Sequence, residues 1–80
     1  MSEPIPEHLT FGQRAVGITF NPGQREDVFN CKSGVAVLID QMNNLRENSE
    51  SPEQCRLASV AITELQGAQM WAVKALTWQS

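Results

Sequence analysis

Residues 61–78 read AITELQGAQMWAVKALTW. The spacing is helical, and only Glu64 and Lys74 carry charge. Ala58, Ala61, Leu65, Ala68, Ala72 and Ala75 form one apolar stripe, mostly of small residues. Ile62 and Leu76 widen it, and Leu57, Val60, Trp71 and Val73 stand on other sides. A helix that is apolar around most of its circumference needs several neighbours. A chain of 80 residues buries only about 60% of the surface its unfolded state exposes. It cannot supply those neighbours alone. The stretch therefore predicts an obligate homo-oligomer in which small residues let helix backbones approach closely. The alternative is a compact three-element monomer whose N-terminal arm covers the spare face.

Upstream, Ser51, Pro52 and Gln54 mark the start of this helix. Serine suits the cap, proline the first helical position, and glutamine the capping-box position. The predicted helix spans 52–77. The polar run RENSESPEQ, with its loop at 48–51, separates it from an earlier helix over 24–47. In that helix Val28, Cys31, Val35, Leu38, Met42 and Leu45 recur at spacings of three and four, a narrow seam for helix-on-helix packing. Gly34 interrupts it at a cost of about 1 kcal/mol relative to alanine. Either a neighbouring backbone or ligand comes close there, or the glycine is simply tolerated. Two helices of roughly 37 Å at 1.5 Å per residue, joined by a short loop, become antiparallel neighbours.

The beginning is less regular. Residues 1–10 read as a flexible arm and 11–23 as a short N-terminal segment. Val16, Ile18 and Phe20 alternate, but a lone strand has no partner, so an extended or single-turn segment is expected. Asn21, Pro22 and Gly23 signal a turn. Asn21 is a candidate cap with Gln24 three positions on, and Gly23 pushes the helix start later. The fold class is all-α, a single helical-hairpin domain over 1–80.

The net charge is −3, which speaks against binding DNA or RNA polymers, since these require a dense basic face. A small anionic ligand held by a few placed cations stays open. Cys31 and Cys55 permit one disulfide at most. The start lacks a basic residue followed by an apolar core, so two buried free thiols in a cytosolic protein are expected. His8 is the only histidine and reads as a solvated residue. No metal and no cofactor are expected. No apolar stretch is long enough to span a membrane. No nucleophile–base pair or glycine-rich phosphate loop is visible, so no enzyme is expected. Arg56, Ser59, Thr63 and Gln66 follow helical spacing, with Lys74 further on and Glu64 nearby. They form either an ordinary solvated face or a ligand-facing row of guanidinium, hydroxyl and amide groups.

The strings FGQRAVGITFNPG, NCKSGVAVLIDQMNNL and AITELQGAQMWAVKALTW resemble a family of small phage proteins, the anti-CBASS cyclic-oligonucleotide sponges. These share a hairpin domain with an anti-Thoeris sponge family, and the resemblance covers about residues 9–78. It implies a short N-terminal segment before two long antiparallel helices. It implies a hexamer, a trimer of interlocked dimers, with sites between subunits. It further implies sequestration, without cleavage, of cyclic dinucleotides, and of cyclic trinucleotides at a second site, in the host bacterial cytoplasm. That starves the CBASS effector of its messenger.

By the resemblance, Lys32 takes the place of a lysine near the ligand phosphates. A base-stacking aromatic comes from the N-terminal segment. Gln13 stands where one branch has tyrosine, which leaves Phe11 or Phe20 for stacking, or for the core. Arg14 offers a guanidinium for stacking or phosphate, or is a surface arginine. At the trinucleotide site Thr63 matches the family threonine. Arg56, with Ser59 beside it, is the arginine available on the second helix. Trp71 is expected in a subunit interface and Trp78 at a helix end. Two other functions compete: a sponge for a cyclic ADP-ribose messenger, and an oligomeric hairpin that binds another protein.

Overall fold

The computed structural model of the chain describes residues 8–79. These residues are helical throughout their regular structure: α1 spans Phe11–Ala15, α2 Glu26–Asn48 and α3 Pro52–Leu76. The two long helices pack against each other as an antiparallel hairpin, and α1 packs on α2. The molecule is flat, 44 × 33 × 12 Å, with α2 as the middle element.

The loop end of the hairpin forms as its residues dictate. The Ser51 side chain accepts from the Gln54 N–H at 3.2 Å, and Pro52 opens α3. The Gln54 amide oxygen does not return to the cap. It accepts from the Ser49 hydroxyl at 2.5 Å, and the Ser51 N–H donates to the Ser49 oxygen at 3.1 Å. Three polar residues therefore close the turn on themselves.

The N-terminal segment contains a helix of one turn followed by turns. Thr10 and Gln13 form a reciprocal capping box: Thr10 accepts from the Gln13 N–H at 3.0 Å and Gln13 from the Thr10 N–H at 2.9 Å. This occupies the Gln13 amide. Thr10 belongs to the stretch expected as a flexible arm; residues 1–7 of that stretch lie outside the described residues. The end of α1 is a Schellman arrangement. Gly17 adopts φ +62, the Ile18 N–H donates to the Gln13 carbonyl, and the Gly17 N–H donates to that of Arg14.

The helix expected from residue 24 starts at Glu26. Gly23 and Gln24 both have positive φ, +82 and +51, which no helix accommodates. Asn21 closes this turn, donating to the Arg25 carbonyl at 2.8 Å and accepting from the Arg25 N–H. Arg25, not Asn21, is the cap residue, and Glu26 and Asp27 place negative charge in the first turn, where the helix dipole favours it.

The core is small. Val16, Ala36, Ile39 and Ile62 form its centre, with Ile39 fully buried. The expected α2 seam is displaced. Val28, Lys32, Ala36 and Ile39 are buried, whereas Leu38 and Leu45 are exposed. The displacement has a physical origin: the N-terminal segment, rather than α3 alone, covers the first half of α2 and brings Lys32 inside. Gly12 sets that docking. Its N–H donates to Asp40 at 2.7 Å, and a Cβ there would lie 2.1 Å from the Ala36 carbonyl oxygen. Gly34 has nothing within 4 Å of a Cβ position, so in the single chain it is tolerated rather than required.

Gly12→Ala is expected to force α1 off α2 and lower stability by roughly 2–3 kcal/mol through overpacking and loss of the Asp40 bond. Thermal unfolding followed by circular dichroism checks this, and an unchanged midpoint would refute the docking contact. Gln24→Gly relieves a left-handed side-chain residue and should raise stability by about 0.5–1 kcal/mol.

Candidate functional site

The open end of the hairpin brings together the turn before α2, the first turns of α2 and the last turns of α3. A cavity of about 390 Å³ lies there, lined among others by Phe20, Arg25, Lys32, Val73 and Thr77. Two of the chain's six cationic side chains reach it.

Lys32 is only 5% exposed. Its ammonium donates to the Gly17 carbonyl at 3.0 Å and, through a short hydrogen bond, to the Phe20 carbonyl. It also lies 5.4 Å from the centre of the Phe20 ring. No carboxylate among the described residues pairs with it. A buried ammonium costs several kcal/mol unless oxygens replace water, and main-chain carbonyls do so here. Phe20 itself is 71% exposed, so its ring is available as a stacking surface.

Arg25 closes the open end. Its guanidinium grips Asp27 with two bonds of 3.0 and 2.7 Å and donates to the Leu76 carbonyl at 3.0 Å. The last carbonyls of a helix have no partner within it, and a cation there also meets the negative end of the dipole. The hydrogen bond from Arg25 holds the Asp27 carboxyl below its usual range. Neither Arg25 nor Thr77 was expected at a site. The signal in the sequence was Arg-Glu-Asp one residue after an Asn-Pro-Gly turn, which sets the arginine at a helix start.

The other expected site residues lie elsewhere. Phe11 is half-buried against the core, with the Arg46 guanidinium 5.2 Å above its ring. Arg46 also donates to Asn43 at 3.0 Å and to the Ser59 hydroxyl at 3.2 Å. Ser59 thus faces inward as part of a brace across α1, α2 and α3. Gln66 faces the same way and donates to the Ala15 carbonyl at 3.4 Å. Arg14 is exposed on α1. Arg56 is exposed in the first turns of α3 and paired with Glu53, which raises its pKa through their hydrogen bond. Thr63 is exposed, its hydroxyl donating to the Ser59 carbonyl at 3.3 Å. Lys32 and Phe20 therefore share one cavity, whereas Arg56 lies toward the opposite end of the hairpin, roughly 25 Å away by helix rise. The polar stripe of α3 is split between an inward-facing pair and an outward-facing pair.

Two further features bear on what surrounds the site. Cys31 and Cys55 are free thiols, half-buried rather than buried as expected, and the Cys55 thiol donates to the Arg46 carbonyl at 3.3 Å. On the outer side of α3, Leu57, Val60, Ala68, Trp71 and Ala75 line up at helical spacing and are exposed, Trp71 to 72%, and the exposed Trp78 follows just past the helix end. An apolar groove of about 510 Å³ between Leu38 and Met42 of α2 and Ala61, Leu65 and Ala68 of α3 runs beside it, with Glu64 at its rim. No helix among the described residues is long and apolar enough to cross a membrane.

No curated protein and no solved structure matches the chain. Residues 13–77 match a family described as Acb2/Tad1, hairpin domain. That span takes in α2 and α3 whole, the turn that carries Phe20, and every residue named around the cavity. The chain belongs to the Acb2/Tad1 hairpin-domain family.

Proposed function

We propose that this protein is a non-catalytic sponge for cyclic oligonucleotide second messengers, acting in the host bacterial cytoplasm against CBASS immunity. Membership of the hairpin family supports the class of function. One observation carries the site: an aromatic ring and two cations converge on one cavity at the open end. A cyclic dinucleotide presents two flat bases and two phosphates, and stacking with charge-assisted hydrogen bonds answers both. Phe20 takes the stacking role and Lys32, with Arg25 beside it, the phosphate role. Arg14 and Phe11 lie outside this cavity and are weaker candidates.

The cavity is near the low end of the range of about 300–1,000 Å³ for ligand pockets. One protomer therefore encloses only part of a two-base ligand. A second copy, related by symmetry, would present the same groups to the other half. The exposed stripe on α3 and the neighbouring groove supply the apolar surface for such an assembly, and a hexamer is the form the family resemblance implies. Cyclic trinucleotides would take a second site on the outward residues Arg56 and Thr63, with Ser59 beneath them. Sequestration needs no bond cleavage.

Calorimetry against cyclic dinucleotides, cyclic trinucleotides and ADP-ribose isomers tests the ligand class, and the ligand released by denaturation should be intact. Binding of only the ADP-ribose isomers would move the chain to the other messenger, and binding of none would remove the sponge function. Lys32→Ala should weaken a cyclic dinucleotide by roughly 10–100-fold, as expected for loss of a charged hydrogen bond, without dissolving the assembly. Sedimentation equilibrium should give a homo-oligomer at micromolar concentration; a folded monomer would overturn the interface assigned to Trp71.

A further inference from the structure

Arg25 and Lys32 are the charged residues that line the open-end cavity. One carboxylate acts on them from outside the lining. Asp27 takes one edge of the Arg25 guanidinium, accepting from Nε at 3.0 Å and from Nη2 at 2.7 Å. It also accepts from the Val28 N–H at 2.8 Å, so the carboxylate is tied to the first turn of α2. The hydrogen bond from Arg25 holds its pKa below the usual range, and Asp27 is ionised at neutral pH. Glu26, exposed and between the two in sequence, pairs with neither cation among the described residues.

An ammonium has three N–H groups and a guanidinium five. Lys32 gives two to the Gly17 and Phe20 carbonyls. Arg25 gives its Nε and Nη2 groups to Asp27 and the Leu76 carbonyl. One N–H of Lys32 and the Nη1 group of Arg25 have no acceptor among the described residues, and these are the donors left for a ligand. The charge is limited in the same way. Two cations and one paired carboxylate leave a single net positive charge. A phosphodiester carries one negative charge on two non-bridging oxygens, whereas a terminal phosphate carries nearly two on three oxygens at neutral pH. The second charge of a terminal phosphate would enter the cavity without a partner, and an unpaired charge leaves water at a cost.

We infer that Asp27 is a specificity-determining residue: it orients Arg25 and trims the charge at the cavity so that a phosphodiester is preferred to a terminal phosphate. That the diester belongs to a cyclic nucleotide rests on the sponge function proposed above; the charge match does not. Phe20, 71% exposed, offers its ring to the base of any nucleotide, so stacking cannot tell a cyclic ligand from a linear one or from a mononucleotide. The phosphate can, because a ring of diesters has no terminal phosphate. Asp27 supplies the repulsive element that such discrimination needs.

Guanosine 5′-monophosphate and its methyl ester share base and sugar and differ by one charge at pH 8. Both are titrated into the full chain, followed by the NMR signals of the Arg25 Nε–H and the Phe20 amide. The methyl ester should bind the native protein more tightly by about threefold or more, the effect of one unmatched charge in a partly solvated site. Asp27→Asn should lower that preference roughly fivefold. Glu26→Gln removes the same charge from the chain without touching Arg25, and should leave the preference within about twofold. A native protein that prefers the monophosphate or binds neither probe overturns the charge match, and so do equal effects of the two substitutions. The native comparison needs no variant and decides the matter even where Asp27→Asn fails to fold. Cyclic di-GMP is the separate arm. Its failure to bind, with the methyl ester still preferred, removes the sponge function and leaves the charge match standing.

Discussion

A positive charge inside a helix seam has to be given oxygen, and much of this fold follows from how Lys32 receives it. The oxygens come from the Gly17 and Phe20 carbonyls, so the chain must pass over α2 with those groups facing inward. That requires α1 to stop at Ala15 and turn sharply, which the left-handed Gly17 permits. It requires α1 to lie close against α2, which the missing side chain of Gly12 permits. It also requires the path to re-enter a helix at Glu26, which the Asn21 turn arranges. The N-terminal segment is therefore the cover of α2, with α3 covering the rest.

The two ends of the hairpin differ in chemistry. At the loop end, serine hydroxyls and the Gln54 amide close a short turn, and Arg46 braces Phe11 and Ser59. At the other end the start of α2 meets the end of α3. The carbonyl at the end of α3 is met by Arg25, whose guanidinium is oriented by Asp27. Main-chain carbonyls and cations are interleaved there within one cavity. Both cations there already have oxygen acceptors: Lys32 the Gly17 and Phe20 carbonyls, Arg25 the Asp27 carboxylate and the Leu76 carbonyl.

The hairpin was legible because its signals are local. Ser51, Pro52 and Gln54 specify a helix start through atoms a few residues apart, and the apolar spacing of residues 28–45 and 58–76 declares two long helices. The register of α2 was not legible. A charged residue is ordinarily assigned to the solvent side, and nothing local to Lys32 announces that carbonyls 12 and 15 positions upstream will meet it. The start of α2 was displaced for a related reason: Gly23 pointed to a late start, but the left-handed Gln24 depends on the turn as a whole. Gly12 carries no signal in isolation, because its role is defined by Ala36 and Asp40 across an interface. The resemblance directed attention to Lys32, while the structure gathered Phe20, Arg25 and Thr77 around it and left Arg56 and Thr63 on the outer side of α3.

The placement of the aromatic residues has a spectroscopic consequence. The chain has no tyrosine and two tryptophans, so its near-ultraviolet emission comes from Trp71 and Trp78. Trp71 stands on the uncovered stripe of α3 and Trp78 just past the end of that helix, both outside the core around Ile39 and Ile62, and Lys74 lies 5.5 Å from the centre of the Trp71 ring. Their emission maximum and quenching therefore report on what comes to rest against that stripe, while the interior of the protomer stays optically silent. Fluorescence and circular dichroism measured on one sample would separate association from folding without an added label.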